Sequence, residues 1–180
     1  LNAISTMAEK ARKSIIIHVD LIKGLSRDEY AAIYLCQNIK LAGLISTHSS
    51  VIQTAKKKNK IEELLNILDS IKYEQAQSKI IIFTEFVVTQ KYLEEFLISK
   101  GYRVSLINGG MDIEMRNLQL KEFKYSSDIL ISTDAGGEGL NLQFANVIIN
   151  YDLPWNPMKI EQRIGRVDRI GQKQDVYVYN

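Results

Sequence analysis

One cysteine, Cys36, serves 180 residues. An internal disulfide is therefore ruled out, and a reducing interior fits. Cys36 lies in a run with helical, amphipathic spacing, so it reads as a small buried hydrophobe and not as a nucleophile. The two histidines, His18 and His48, have no companions at metal-ligand spacing, and no metal site is expected. No apolar run approaches the roughly 20 residues of a membrane span. The start, LNAISTMAEKARK, is too poor in apolar residues for a signal peptide. Net charge is only +2, so any basic function must sit in a local patch. No G-x-x-x-x-G-K-[ST] run occurs, which excludes a phosphate-binding P-loop within the sequence. What remains is 46% hydrophobic and 24% charged, the make-up of a globular chain with a real core. It opens on Leu1 and closes on DVYVYN, a strand-like end, and reads as a piece of a larger protein.

Two textures follow one another. Residues 14–22, SIIIHVDLI, read as a strand. Ser26 and Glu29 form a capping box for a helix running to Ile45. A polar stretch with KKKNK at 56–60 reads as a solvated connection. Ile61, Leu64, Leu65, Leu68 and Ile71 then keep helical spacing. From Lys79 onward strands and helices alternate: KIIIFTEF, a helix ending at Gly101, YRVSLING, a helix, DILIST, NVIINYD, a helix through 170, and KQDVYVY. That alternation implies a parallel sheet with helices on both faces. The expected organisation is a helix-rich segment, 1–78, before an α/β lobe, 79–180, with the boundary near Gln75–Ser78.

In such sheets ligands bind beyond the carboxyl ends of the strands. After Ile107 comes NGGM, where Gly109 and Gly110 suit either a tight turn or close approach of a ligand. After Thr133, DAGGEGLN packs Gly136, Gly137 and Gly139 around Glu138. Bare backbone N–H groups there, with the Ser132 and Thr133 hydroxyls, could meet a phosphate. The dinucleotide spacing G-x-G-x-x-G is missing. VIINYD has no P-loop to serve, so Asp152 reads as a strand-end residue. YDLPWNP holds both prolines and the single tryptophan. Asn156 suits an N-cap and Pro157 a first helical position. Trp155 is then either held at the ligand edge or plugged into the core.

The segment 161–172, EQRIGRVDRIGQ, is the most unusual. As a helix, with Gln162 at zero, Arg166 falls at about 40° and Arg169 at about −20°. Ile160, Ile164 and Val167 cluster on the opposite face, and Arg163 lies about 100° off the stripe. The stripe carries donors and no carboxylate. Two arginines without a built-in partner suit an anion supplied from outside, phosphate above all. Gly165 costs about 0.8–1 kcal/mol inside a helix, which fits something approaching closely there.

KIIIFTEF, INGGMDIEMR, ILISTDAGGEGLNLQFANVIINYDLPWNP and EQRIGRVDRIGQ together resemble the successive motifs of the second RecA-like lobe of superfamily-two helicases. GGEGLNLQ, DLPWNP and RIGQ point to the Swi/Snf-type ATPases, and QRIGRVDRIGQ to their prokaryotic branch, which includes an RNA-polymerase-recycling ATPase. The resemblance implies a three-layer RecA-like α/β fold. It also implies an ATP hydrolase completed by a first lobe that carries a P-loop and DExx carboxylates and binds most of the ATP and Mg. Arg166 and Arg169 would be arginine fingers, with Gln162 orienting the γ-phosphate or the attacking water. Glu138, Gly139 and Asn141 would border the nucleotide. Gly109, Gly110, Ser132, Thr133 and Trp155 would track the backbone of double-stranded DNA. A cytoplasmic motor acting on a protein cargo such as RNA polymerase is the expected whole, and the lobe alone is expected to be inactive. A strand-separating DNA or RNA helicase lobe and a non-catalytic nucleic-acid-binding domain are the alternatives.

Overall fold

The computed structural model describes residues 7, 10–11, 13–22, 33–36, 42–74 and 77–180, with 54–58 described by backbone only. The chain divides into two compact units, Leu1–Asp69 and Ser70–Asn180.

In the first unit β1 (Ile16–His18) pairs in parallel with β2 (Gly43–Ile45). A short 3-10 turn, Val19–Leu21, ends the strand expected over 14–22. The expected helix to Ile45 is corrected at its end, because Gly43, Leu44 and Ile45 are strand. Glycine weakens a helix interior, and the edge of β1 offers these residues ladder partners. Residues 33–36 are helical, while Ser26 and Glu29 lie outside the described residues. Cys36 is half-buried and packs with Leu44 against Val51, among apolar neighbours.

A second correction concerns the polar connection. A single helix, α1 (Ser49–Glu74), runs straight through it. Lysine, alanine and glutamine are good helix formers, so KKKNK extends the helix and makes no turn. Ile61, Leu64, Leu68 and Ile71 are buried along it and Leu65 is half-buried, which is the expected stripe.

Asp20 ties the ends of β1 and β2 together. It accepts hydrogen bonds from the Thr47 amide (2.6 Å), the Ser46 hydroxyl (2.7 Å) and the Thr47 hydroxyl (2.8 Å). The Thr47 backbone bond, then the Ser46 bond, lower its pKa to about 2. A folded pKa below the unfolded value gives stability that is present above about pH 4. It is lost as pH falls through the folded value. Carboxyl-detected NMR should therefore place the Asp20 midpoint near 2, and Ser46→Ala should raise it.

The second unit holds a five-stranded parallel sheet in the order β4-β5-β3-β6-β7. Its strands are β3 (Ile80–Thr84), β4 (Val104–Ile107), β5 (Ile129–Thr133), β6 (Val147–Asn150) and β7 (Tyr177–Tyr179). Every residue of β3, β5 and β6 is buried. Side chains alternate across a strand, so both sheet faces are covered. This is why IIIFT, ILIST and VIIN are continuous apolar runs. The edge strand β4 alternates instead, with Ser105 and Ile107 buried.

Helix α2 (Val87–Ser99) buries Gln90, Leu93 and Leu97. It stops where Gly101 turns to φ +86° and the Tyr102 amide bonds back to Leu97 O. Asp112 caps α3 (Ile113–Tyr125) by accepting from the Met115 amide at 2.7 Å. A four-residue α4 (Asp134–Gly137) follows β5, and α5 (Met158–Ile164) precedes β7. The core joins Ile81, Phe83, Ile107, Phe123, Leu130, Leu142, Ile148 and Val167. The chain leaves β3 for the far edge at β4, returns through β5, and then crosses to β6 on the other side. The carboxyl edge around β3 is thus where connections diverge, the place where ligands bind in sheets of this kind.

Candidate nucleotide and nucleic-acid site

Three loops meet at that edge, and their glycines interlock. A Cβ on Gly136 would strike the Asn108 backbone and sit 2.6 Å from Ile107 O. A Cβ on Gly109 would lie 2.9 Å from the Ala135 Cβ. A Cβ on Gly137 would collide with Arg166 Nη1 and lie 2.9 Å from Ser132 Oγ. So Gly136 serves loop-to-loop packing, and Gly137 makes room for an arginine. Only Gly139, exposed at φ +76° with open space around it, keeps the freedom expected of the whole loop.

Ser132 and Thr133 lie deeper than the exposed Gly109, Gly110 and Gly139. Ser132 is fully buried and donates to Thr133 O at 3.0 Å. Thr133 is 5% exposed, and its hydroxyl caps α4 by accepting from the Gly136 amide. The tight turn after β5 thus engages both hydroxyls, the Ser132 one as donor and the Thr133 one as acceptor, which leaves the Thr133 O–H able to donate. Gly109, Gly110, Glu138 and Asn141 are exposed at the surface. Asn141 is engaged with Gln143 through two bonds, 3.1 and 3.2 Å.

Trp155 is fully exposed while Pro154 beside it is buried, which removes the core-plug reading. Pro157 occupies the capping position of α5, and Asn156 Oδ1 accepts from the Met158 amide at 3.0 Å. Thr84 Oγ1 donates to Asp152 at 2.6 Å, so Asp152 closes the ends of β3 and β6 as a strand-end residue.

The arginine segment differs from the expected helix. Helix α5 stops at Ile164, and Gly165 is its C-cap at φ −63°, followed by tight turns to Asp168. Gly165 therefore bears no helix-interior cost, and the wheel loses meaning beyond it. Val167 is nevertheless buried and Ile164 half-buried in the core.

Arg163 is the main surprise. It is 1% exposed. Its Nε donates to Asp134 Oδ1 at 2.7 Å, and its Nη1 to Asn150 Oδ1 at 2.8 Å and Asp152 O at 3.1 Å. Its guanidinium lies 5.1 Å from the Phe83 ring. Burial pushes the Asp134 carboxyl up, but the Arg163 bond and charge, with Lys159 at 3.4 Å, outweigh it and hold it below the usual range. Arg163 thus pins α5 to the turn after β5. The sequence carried a signal for this. Within the helix Ile160 sits at about 160° on the wheel and Arg163 at about 100°, so Arg163 flanks the inward face.

Arg166 behaves otherwise. It is half-buried against Gly137, 5.9 Å from the Phe83 ring, and its hydrogen bond to Asp134 O is a long one, 3.4 Å. Among the described residues no carboxylate forms an ion pair with it. Burial lowers its pKa, as do Arg163 and Arg169, against the pull of Asp134 and Glu138. It stays charged, because a guanidinium does not lose its proton in proteins. Arg169 is exposed, with Nε donating to Gly165 O at 2.7 Å, and Gln162 is exposed on α5. Arg166 and Arg169 are thus the arginines of the segment that reach its surface, with the acids Glu161 and Asp168 exposed beside them. Among the described residues no group of three or more His, Cys, Asp or Glu could hold a metal ion.

A covered parallel sheet whose carboxyl edge gathers glycine-rich turns and an unpaired arginine, with no P-loop, is a RecA-like lobe of the second kind. Residues 56–171 match the helicase conserved C-terminal domain, and the chain belongs to that family. It is the second lobe of a Swi/Snf-type superfamily-two ATPase. It is 44% identical over 164 residues to the uncharacterized ATP-dependent helicase YqhH of Bacillus subtilis, covering 91% of this chain and 28% of that protein. Identity to the RNA polymerase-associated protein RapA of Vibrio cholerae is 38% over 117 residues, 63% of this chain and 12% of that one. The solved C-terminal part of the Fun30 ATPase domain superposes with a TM-score of 0.62 at 32% identity, covering 67% of this chain and 40% of that one. The chain thus spans less than a third of the curated relatives it matches.

Proposed function

We propose that this lobe is half of an ATP-driven motor that moves along double-stranded DNA. A first lobe with the P-loop and DExx carboxylates binds ATP and Mg, and Arg166 and Arg169 reach the γ-phosphate from this side. The observation that carries the reading is Arg166 itself, a partly desolvated guanidinium at the carboxyl edge with no carboxylate ion pair among the described residues. An unpaired cation of that kind suits the charge that builds on a transferring phosphoryl group. Gln162, exposed on the same segment, orients the γ-phosphate or the attacking water. Glu138, Gly139 and Asn141 border the nucleotide.

Nucleic acid runs over the exposed Gly109 and Gly110 and against Trp155, whose ring stands wholly in solvent. Such contacts hold the backbone and do not read sequence. Closure of the two lobes on ATP and opening after hydrolysis then advance the duplex. The lobe alone is inactive, since it lacks half of the site. A protein on the DNA, such as RNA polymerase, is the proposed cargo.

The test uses the full-length protein in two assays, displacement of a triplex strand and separation of a plain duplex. ATP-dependent triplex displacement without duplex separation is the expected result. Separation of the duplex strands would move the assignment to a strand-separating helicase.

A further inference from the structure

A fully buried glutamine on α2 stands out, because the rest of the buried stripe, Leu93 and Leu97, is apolar. A polar side chain is costly in that position unless it is saturated. Gln90 is nearly so. Its Nε2 donates to Ile107 O (3.0 Å) at the end of β4 and to Ile131 O (2.8 Å) on the neighbouring β5. Its Oε1 accepts from Asn108 Nδ2 at 3.1 Å.

The polarity of this chain of bonds is forced. Carbonyls only accept, so the Gln90 amide nitrogen must face them and its oxygen must face Asn108. The Asn108 nitrogen must then face Gln90, which turns its oxygen to the Gly110 amide at 3.0 Å. One buried side chain therefore sets the conformation of the 108–110 turn. The same Asn108 backbone is what Gly136 packs against, and the adjacent Gly137 is what Arg166 packs against.

We propose that Gln90 is a positioning residue that couples nucleic acid on the 108–110 turn to Arg166. The physical route is Gln90, Asn108, Gly136, Gly137 and Arg166. The inference rests on the motor function proposed above. A duplex pressing on Gly109 and Gly110 is felt at Gly136 because the turn is braced from behind. Without the brace the turn yields, and Arg166 is no longer set by the duplex.

The experiment compares wild type, Gln90→Met and Asn108→Ala in the full-length protein. Gln90→Met keeps the volume and removes the three bonds. Asn108→Ala cuts the relay at a half-exposed position, and a melting curve beside it checks that the fold is kept. Three quantities are read: ATP turnover with saturating duplex, turnover without DNA, and amide hydrogen exchange over 107–111 and 134–138.

Both variants should lose about ten- to a hundredfold of the duplex-stimulated turnover, the scale set by a misplaced group. DNA-free turnover and the KM for ATP should stay within about twofold, since this loss is one of positioning alone. Exchange should quicken in both segments. The double variant should be no worse than either single one, because both cut the same route.

Equal losses with and without DNA would mean a merely structural role and overturn the coupling, as would unchanged exchange at 134–138. If wild type shows no duplex stimulation at all, the motor reading fails. The exchange comparison still decides whether Gln90 holds the turn.

Discussion

Replacing Arg166 by alanine in the full-length ATPase should lower ATP turnover by about 10³–10⁵-fold, the usual worth of an arginine finger, if the proposed role holds. The expectation follows from how differently Arg163 and Arg166 are held. Arg163 is held by a carboxylate, an amide and a backbone carbonyl through Nε and Nη1, although its buried Nη2 has no partner among the described residues. Arg166 has one long bond to a carbonyl and no ion pair among the described residues. It is still desolvated enough for burial to lower its pKa. A cation so placed contributes little to stability, and Arg166→Ala should shift unfolding by about 1 kcal/mol or less. Arg166→Lys should not restore turnover, because an ammonium lacks the planar fork that fits a phosphate. Steady-state turnover with saturating duplex, beside a melting curve, checks both parts. A loss smaller than about tenfold would leave Arg166 without a finger's role.

Asp134→Ala should destabilise this chain far more than Arg163→Met does, although both break the same pair. Arg163 is 1% exposed, so removing Asp134 strands a buried cation. Breaking a buried pair from one side costs about 3–5 kcal/mol. Arg163→Met instead removes the buried charge and fills its space. The Asp134 left behind is 22% exposed and keeps Lys159 at 3.4 Å, so a cost under about 2 kcal/mol is expected.

The pH dependence has a definite sign. The folded Asp134 pKa is lowered, so its contribution is present above the ordinary carboxylate range and lost as pH falls through the folded value. Arg163→Met should flatten the acid limb of the stability curve below about pH 4. Denaturant unfolding of wild type and the two variants at pH 7, at pH 4 and at about pH 2.5 measures all of this.

The sheet was legible in the sequence because buried parallel strands are continuous apolar runs, as in IIIFT and ILIST. Gly101 as a helix stop was legible because a left-handed C-cap favours glycine. The connection before Ile61 was misread because polarity says nothing against a helix when lysine and alanine carry it. Gly43–Ile45 was misread because short apolar runs suit either state, and a partner strand some 27 residues away decides.

In the site, residue types were legible and their duties less so. The Ser132 and Thr133 hydroxyls looked like phosphate donors, and the turn after β5 also uses them, Ser132 as a donor and Thr133 as an acceptor. Gly136 and Gly137 looked like a ligand cradle, but each answers a neighbour from another loop. Such duties are tertiary and leave no mark on local spacing. Gln90 escaped notice for the same reason. Its worth lies in two strand ends and an asparagine that the sequence does not bring near it.

The central claim is that Arg166 meets the γ-phosphate only as the phosphoryl group transfers. The most direct measurement is the affinity of the full-length protein for ADP–aluminium fluoride against its affinity for ADP, in wild type and Arg166→Ala. Wild type should prefer the transition-state mimic by about 10² or more. Arg166→Ala should lose most of that preference while binding ADP almost unchanged. A variant that keeps the full preference would contradict the account.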